Sequence, residues 1–417
     1  MDNIVNNKHD TGSYDCSGYQ REIYDGNALY DAFLKSEKGS DWKASAQRFE
    51  MTYLLRLAKI QKELKEETYE FKKGNSFILR ERGKARRITG EVIEDRIVKH
   101  ALCDEVLTPA TKKYLIYDNS ASQVGKGIDF ARRRLERHLH EFYRHNQSND
   151  GYVLLMDCSK YYDNLRHDEV MKRFSKYVNE SFALRLLKKS IDNERVDVSY
   201  MSDEEYTMCM DTVFNSLDHE KINPALLTGE KLMPKHLNIG NQVAQNAGFT
   251  YRIPIDNYIK IVRGIELYGA YNDDSYIIHE NKEYLLQLAD DIRKEAKKIG
   301  ITINMKKTRI CKLSSRWRYL QIQYSLTDSG KVIHKINPKR ITSMRRKMKK
   351  LAGKLSESDF KNWYTSWIKC QVRYMSKKQR ENIDGLYQKL YLAKYKKSYR
   401  RMDSRGLKIA PSFTIKP

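Results

Sequence analysis

"YGAYNDDSYIIH", Tyr268 to His279, sets two adjacent carboxylates, Asp273 and Asp274, between short apolar flanks. The chain around them is strongly basic, with 78 Lys and Arg. A charge held among apolar groups is costly unless something pairs with it, and two like charges are worse. A divalent cation would answer that cost. The wider segment "IELYGAYNDDSYIIHE" reads as a hairpin with Asp273 and Asp274 at its tip. The pair alone does not prove a metal; the rest of the chain has to supply further ligands and a substrate.

At 417 residues the chain can bury a sizeable core and divide into two or three domains. Its formal net charge is +24 and its sequence pI about 9.5. Basicity of this size points to a polyanionic partner, nucleic acid ahead of an anionic membrane surface. No run of about 20 apolar residues exists, so no transmembrane helix and no membrane partner are expected. The N-terminal "MDNIVNNKHDTGSYDC" lacks an apolar signal core and reads as a polar arm. Six cysteines (Cys16, Cys103, Cys158, Cys209, Cys311, Cys370) are scattered singly with no CxxC. That spacing suits a reducing cytoplasm and argues against structural zinc. From Lys331 onward there are 25 Lys and Arg against 5 Asp and Glu, while the first 330 residues are nearly balanced at +4. An acidic, metal-binding catalytic body joined to a basic C-terminal module is the natural reading. In that module "MRRKMKKLAGKL" places Met344, Met348, Leu351 and Leu355 at helical spacing, so it reads as folded rather than as a tail.

Along the chain, Asn27–Thr68 has apolar residues at helical steps. "SFILRERGKARRITG" (Ser76–Gly90) reads as a hairpin turning at Gly83. "EVIEDRIVKHALCDEVL" returns to helical period. "DNSASQVGKGIDFARRRLERHLHEFYRH" is a Gly-bounded loop followed by a helix. Its Gly125-Lys126-Gly127 lacks the phosphate-loop pattern. Its His138, His140 and His145 read as a solvated basic face rather than a metal site. In "GYVLLMDCSKYYDNLRHDEV" the apolar run Val153–Met156 predicts a sheet strand that ends at Asp157. An acidic, loop-prone stretch (192–230) precedes "LNIGNQVAQNAGFTYRIPIDNYIK", a Gly-led turn into a helix. "KEYLLQLADDIRKEAKKIGITINMKKTRI" is an amphipathic helix, a stop at Gly300, then a strand.

Asp157 at a strand end and Asp273-Asp274 at a hairpin tip could meet around one metal pair if their strands neighbour each other in a sheet. Phosphoryl transfer by two magnesium ions, roughly 3.5–4 Å apart, needs such a cluster of hard oxygen ligands.

These motifs resemble those of the reverse transcriptases, specifically the bacterial and phage enzymes related to group II intron and diversity-generating types. "YNDD" (Tyr271–Asp274) is similar to that family's YxDD box, and "DCSKYYDNLRH" (Asp157–His167) to its first palm motif. "IGNQVAQ" (Ile239–Gln245) resembles its GN-x-x-SQ motif, and "INMKKTRI" the Asn-x-Lys-Lys-Thr strand. "WRYLQIQYSLTDSG" resembles the primer-grip hairpin and "KARRITGEVIEDRIVKHAL" the fingers motif. The six stand in the family's order over about residues 25–355. A lone YxDD is weak; the ordered set is specific.

The resemblance implies an α+β right-hand polymerase with fingers, a palm of antiparallel sheet flanked by helices, and a helical thumb. Its domains would be a polar arm (1–26), N-terminal helices and fingers (27–150), palm (151–325, with a fingers segment near 168–230), and basic thumb and tail (326–417). Asp157, Asp273 and Asp274 would hold two Mg2+ ions, with Mn2+ as a substitute, and the main-chain carbonyl of Cys158 would support one. Tyr162 would lie under the sugar of the incoming nucleotide, where a ring excludes a 2′-hydroxyl; plain packing is the alternative. Lys84, Arg86 and Arg87 would neutralise the triphosphate; which arginine makes the close contact is open. Gln245 and Asn241 belong to the motif lining the nascent base pair, with Ala244 in place of the usual Ser. Lys307 would donate a proton to pyrophosphate, a surface lysine being the plainer alternative. Tyr271, Leu320 and Gln321, the last two in the primer-grip turn (320–325), and Arg345 and Arg346 on a thumb helix, would touch template or primer. Trp363, Trp367, Tyr364 and Tyr374 read mainly as thumb core.

The function so implied is RNA-templated DNA synthesis from dNTPs on a primer, in the cytoplasm, the template being a companion noncoding RNA in antiphage defence. A diversity-generating element is the alternative setting, and an oligomer or accessory protein would be compatible. Untemplated or protein-primed synthesis, RNA-directed RNA synthesis (against which Tyr162 speaks) and a non-catalytic RNA-binding scaffold are the competing functions. No Cys/His cluster or second acidic cluster suggests an added nuclease, so a polymerase-only chain is expected.

Overall fold

The computed structural model describes residues 22–40, 43–81 and 83–396. Most of the expected N-terminal arm, with Cys16, and the last 21 residues of the expected tail lie outside them. The fold is α+β, and every strand pair in its sheets is antiparallel.

Three helices open the described chain: α1 (Gly26–Glu37), α2 (Ala44–Glu50) and α3 (Tyr53–Lys65). The Asp25 carboxylate caps α1 by accepting from the Asn27 and Ala28 N–H groups. A hairpin of β1 (Asn75–Glu81) and β2 (Lys84–Gly90) follows, with Gly83 at φ +76°, a conformation that favours glycine. Then come α4 (Ile93–Leu102), α5 (Thr108–Lys112), α6 (Ile128–Asn146) and β3 (Tyr152–Asp157). A 3-10 turn (Tyr161–Asn164) leads to α7 (His167–Tyr177) and α8 (Ser181–Asp192). The stretch expected to be loop-prone holds more order: β4 (Val196–Asp197) and α9 (Asp203–Asp211), the latter fixed by a Ser202–Glu205 capping box. Next are β5 (Leu232–Met233), α10 (Gln242–Tyr251), α11 (Ile253–Asn257), β6 (Tyr268–Tyr271), β7 (Asp274–His279) and α12 (Lys282–Lys298). The chain continues as β8 (Arg309–Lys312), β9 (Trp317–Tyr319), β10 (Ile322–Leu326) and β11 (Val332–Ile336). Three helices close the described part: α13 (Pro338–Leu351), α14 (Glu357–Lys369) and α15 (Lys377–Tyr395). The helical region expected from 326 thus begins only after β11.

The chain compacts into two units, each made of three separated segments. The first takes residues up to 116, then 159–255 and 296–302. Within it α1 packs on α4, and α10 packs on α4 and α7. Val196, Val198, Met201, Phe214 and Met233 form a small separate core around β4 and β5.

The second unit takes 117–158, 256–295 and everything from 303. Its four-stranded sheet runs β6-β7-β3-β8, so β3 is central, as the continuous apolar run Val153–Met156 requires. Leu135, Leu139 and Phe142 of α6 join Val153, Leu155, Tyr276 and Ile278 in one core with the sheet β11-β10-β9. Phe142 lies so close that a Cβ at Gly151 would fall 2.2 Å from its ring. Met348, Phe360, Tyr364 and Ile383 give α13–α15 a core of their own, against which Trp363 and Trp367 are partly buried.

His138 departs from the solvated face expected for it. Its ring is buried on α6, with Tyr276 Oη 3.0 Å from Nδ1 and Arg134 3.0 Å from Nε2. Arg can only donate, so Nε2 accepts and Nδ1 carries the proton toward Tyr276. His140 and His145 are exposed, as expected. Among the described residues no helix is long and apolar enough to cross a membrane.

Candidate active site

The hairpin of β6 and β7 turns on two residues, Asn272 and Asp273, with Asn272 at φ +51°, a conformation Asn tolerates. Asp273 therefore stands in the turn, while Asp274 is already the first residue of β7 and pairs with Tyr271. The expected tip holds only one of the two aspartates. On the other edge of β7 the register sets Asp157 directly across from Asp274. Carboxylates 117 residues apart in sequence thus become neighbours because β3 and β7 are adjacent strands. Tyr271 is half-buried; burial raises its hydroxyl pKa, the Arg132 charge opposes that, and Asp274 adds to it.

Lys307 donates to Asp157 Oδ2 at 2.6 Å. The Asp157 carbonyl in turn accepts from Asn304 N–H at 2.7 Å, which fixes the loop carrying Lys307. Partial burial pulls the Lys307 pKa down, but the hydrogen bond to Asp157 and the charges of Asp157, Asp273 and Asp274 raise it overall. The ammonium is therefore protonated at neutral pH. Cys158 is buried and bridged antiparallel to Ile303.

Beside Asp157 and Asp274 opens a cavity of about 330 Å³. Lys306, Lys307, Arg309, Arg318 and Leu320 line it with them. Sequence reasoning passed over Lys306, Arg309 and Arg318. Their one signal is position: Arg309 begins β8 and Arg318 is central in β9, each a basic residue in a short strand. The β9–β10 hairpin closes on Leu320 and Gln321, at φ +42° and +75°. Two left-handed residues in a two-residue loop are usually Asn-Gly, so this turn is not specified by its own residues. The expected primer-grip turn is thus a sharp bend of two residues, and 322–325 belong to β10.

A metal would find hard oxygen ligands here, with a cation already drawn to one of them in the form of the Lys307 ammonium. Among the described residues, no three carboxylate, imidazole or thiol groups converge into a complete protein cage for a metal ion. Magnesium seldom requires one, taking one or two carboxylates and filling its other positions with water and substrate phosphate. Asp157 and Asp274 suit that mode. Asp273 lies in the adjoining turn and its charge also acts on Lys307.

The remaining expected residues of the second unit are Arg345 and Arg346, exposed on α13 beside buried Met344 and Met348.

In the first unit, alternation along β2 puts Lys84 and Arg86 on one face and Arg87 on the other. Arg87 is held by Glu220 at 2.6 Å. Tyr162 packs its ring on α10: a Cβ at Gly248 would lie 2.9 Å from Tyr162 Oη. Gly248 is the residue that makes room for this ring, and its signal was a glycine inside a helical pattern. Ala244 is fully buried.

Asn241, expected beside the nascent base pair, caps a helix. Its Oδ1 accepts from Ala244 N–H as the cap of α10, and its amide donates to Glu91 at 3.1 Å and Glu194 at 2.8 Å. Those glutamates also hold Lys99, at 2.5 and 2.6 Å, in a buried cluster. Both donors of Asn241 are thus engaged inside the protein. It positions α10, and Gln245 one turn on. Gln245 lines a second cavity of about 320 Å³, with Thr89, Arg96, Lys99 and His100 on its wall.

No model of a known protein family matches the chain, and no curated protein matches it.

Proposed function

We propose that the chain is a reverse transcriptase, extending a DNA primer on an RNA template with a right-hand polymerase fold. The observation that carries this reading is the register setting Asp157 across from Asp274, beside a cation-lined cavity, on strands that bear the family-like motifs. In that reading the antiparallel sheet of the second unit is the palm, the β9–β10 hairpin the primer grip, and α13–α15 the thumb. The β1–β2 hairpin is the fingers element.

Asp157 and Asp274, with Asp273 in the turn, would hold two Mg2+ ions. Such ions, when bound, lower the pKa of an attacking hydroxyl and stabilise a leaving pyrophosphate. The chain's own residues do the rest. Arg309, Arg318 and Lys306 draw the sugar-phosphate backbone into the cavity. The Leu320 turn bounds it where a primer end would sit. Lys307, whose ammonium is protonated at neutral pH, would be placed to give a proton to the departing pyrophosphate. The resemblance further implies that Tyr162 would meet the nucleotide sugar and Lys84 with Arg86 the triphosphate.

The test is primer extension on a defined RNA template with Mg2+ and labelled dNTPs, alongside the Asp273→Ala/Asp274→Ala double variant. Copying of the template that vanishes in the variant is the expected result. Extension that ignores the template would favour untemplated synthesis. Silence on both generic and co-purifying RNA would overturn the reading in favour of an RNA-binding scaffold.

A further inference from the structure

We infer that Arg132 is the positioning residue for the Leu320–Gln321 turn, holding it at the cavity beside Asp157 and Asp274. Arg132 lies on α6, 188 residues from Leu320, and its side chain is fully buried. Its Nη2 donates to the Leu320 carbonyl at 2.8 Å, and its Nη1 reaches the Cys370 carbonyl at 3.3 Å. The Tyr374 ring lies 4.9 Å from the guanidinium, and the nearest carboxylate, on exposed Asp129, is 3.5 Å away. A buried guanidinium with so little countercharge is expensive. What it supports is a turn whose two residues both take left-handed backbone without the Asn or Gly that would favour it. The strands beyond the turn are firmly packed, Trp317 stacking on Tyr324 at 5.4 Å, but the bend itself has no local sequence preference. One charged donor on the Leu320 carbonyl supplies what the sequence of the bend does not. Through Cys370 the same group ties the bend to the end of α14. The catalytic consequence rests on the DNA-synthesis reading above; the dependence of the turn on Arg132 does not.

The test is a double-mutant cycle between Arg132→Met and the turn replacement Leu320→Asn/Gln321→Gly, which installs residues that favour the bend unaided. Hydrogen exchange across 319–322 is read first, because it needs no activity. Arg132→Met should speed exchange there at least about tenfold in the native turn and much less in the Asn-Gly turn. Single-nucleotide incorporation is read second. Arg132→Met should lower kcat about 100-fold with the native turn, the KM for dNTP changing little, and under about fivefold in the Asn-Gly background. Arg132→Lys, which keeps one donor, should fall between and serves if the Met variant does not fold. Equal exchange with and without Arg132 overturns the inference. So does an incorporation loss of the same size in both turn backgrounds, which would mark Arg132 as a general structural residue. A wild type that adds no nucleotides, yet shows the coupled exchange, removes the polymerase reading and leaves the turn assignment standing.

Discussion

Lowering the pH should weaken the second unit through His138. Burial drives its imidazole pKa down to about 4; Asp118 opposes that drop, Arg134 and Lys260 reinforce it, and Glu141 opposes it weakly. In the unfolded chain the same group titrates near the ordinary imidazole value of 6.5. A group with a depressed folded pKa binds protons more readily when unfolded. The neutral ring's contribution is therefore complete above pH 6.5 and is lost as pH falls toward 4. Linkage over this window gives a loss of about 2 kcal/mol between pH 7.5 and 5, and about 3 kcal/mol by pH 4. Burying the charge is the main cost, and an imidazolium also cannot accept from Arg134 and would face its guanidinium at hydrogen-bond distance. The assay is urea unfolding of wild type and His138→Gln at pH 7.5, 6 and 5, since glutamine keeps a donor and an acceptor but does not titrate. His138→Gln should be less stable at pH 7.5, yet its stability should fall about 2 kcal/mol less by pH 5. Parallel pH curves, or an imidazole resonance titrating near 6.5, would refute the buried neutral ring.

Lys99→Met should cost about 3–5 kcal/mol at neutral pH, because it strands Glu91 and Glu194 in the interior. The deficit should shrink as pH falls, because burial raises the Glu91 carboxyl pKa and its protonation removes a stranded charge; a deficit independent of pH would argue against the cluster. Gly269→Ala should cost about 1–3 kcal/mol, since its Cβ would lie 2.7 Å from the fully buried Tyr276 ring. Calorimetry showing an unshifted transition would contradict that packing. On the DNA-synthesis reading proposed above, the two β2 arginines should separate. Arg87→Ala should lower stability by about 1–2 kcal/mol through loss of Glu220, with little change in KM for dNTP. Arg86→Ala should raise that KM about tenfold, equivalent to about 1.4 kcal/mol. Similar effects of the two variants would undo the facial distinction.

Local pattern reached a long way into this fold. Gly83 between two short runs gave the β1–β2 hairpin, because a positive φ at that point suits little else. The run Val153–Met156 gave a sheet strand, since a strand apolar at every position needs cover, and the structure sets it inside the four-stranded sheet. Spacing gave the α13 stripe of Met344 and Met348. The Ser202–Glu205 capping box was equally legible in the stretch expected to be loop-prone, and the acidic composition around it obscured the signal.

Side-chain commitments were less accessible. The helical register of α6 places His138 on a buried face, but "RRRLERHLHEF" is so basic that its composition reads as solvent-facing. The amide of Asn241 and the guanidinium of Arg87 are engaged by Glu91, Glu194 and Glu220, each distant in sequence. Local periodicity carries no information about such pairings. Sequence by itself therefore reached most of the helices and strands and offered Asp157, Asp273 and Asp274 as candidate ligands, because turns, strands and caps depend on neighbours a few residues apart. Only the tertiary structure decided that Asp157 faces Asp274 while Asp273 stays in the turn, and that Arg132 reaches Leu320. Strand adjacency and the burial of a charge are settled by contacts between segments more than 100 residues apart.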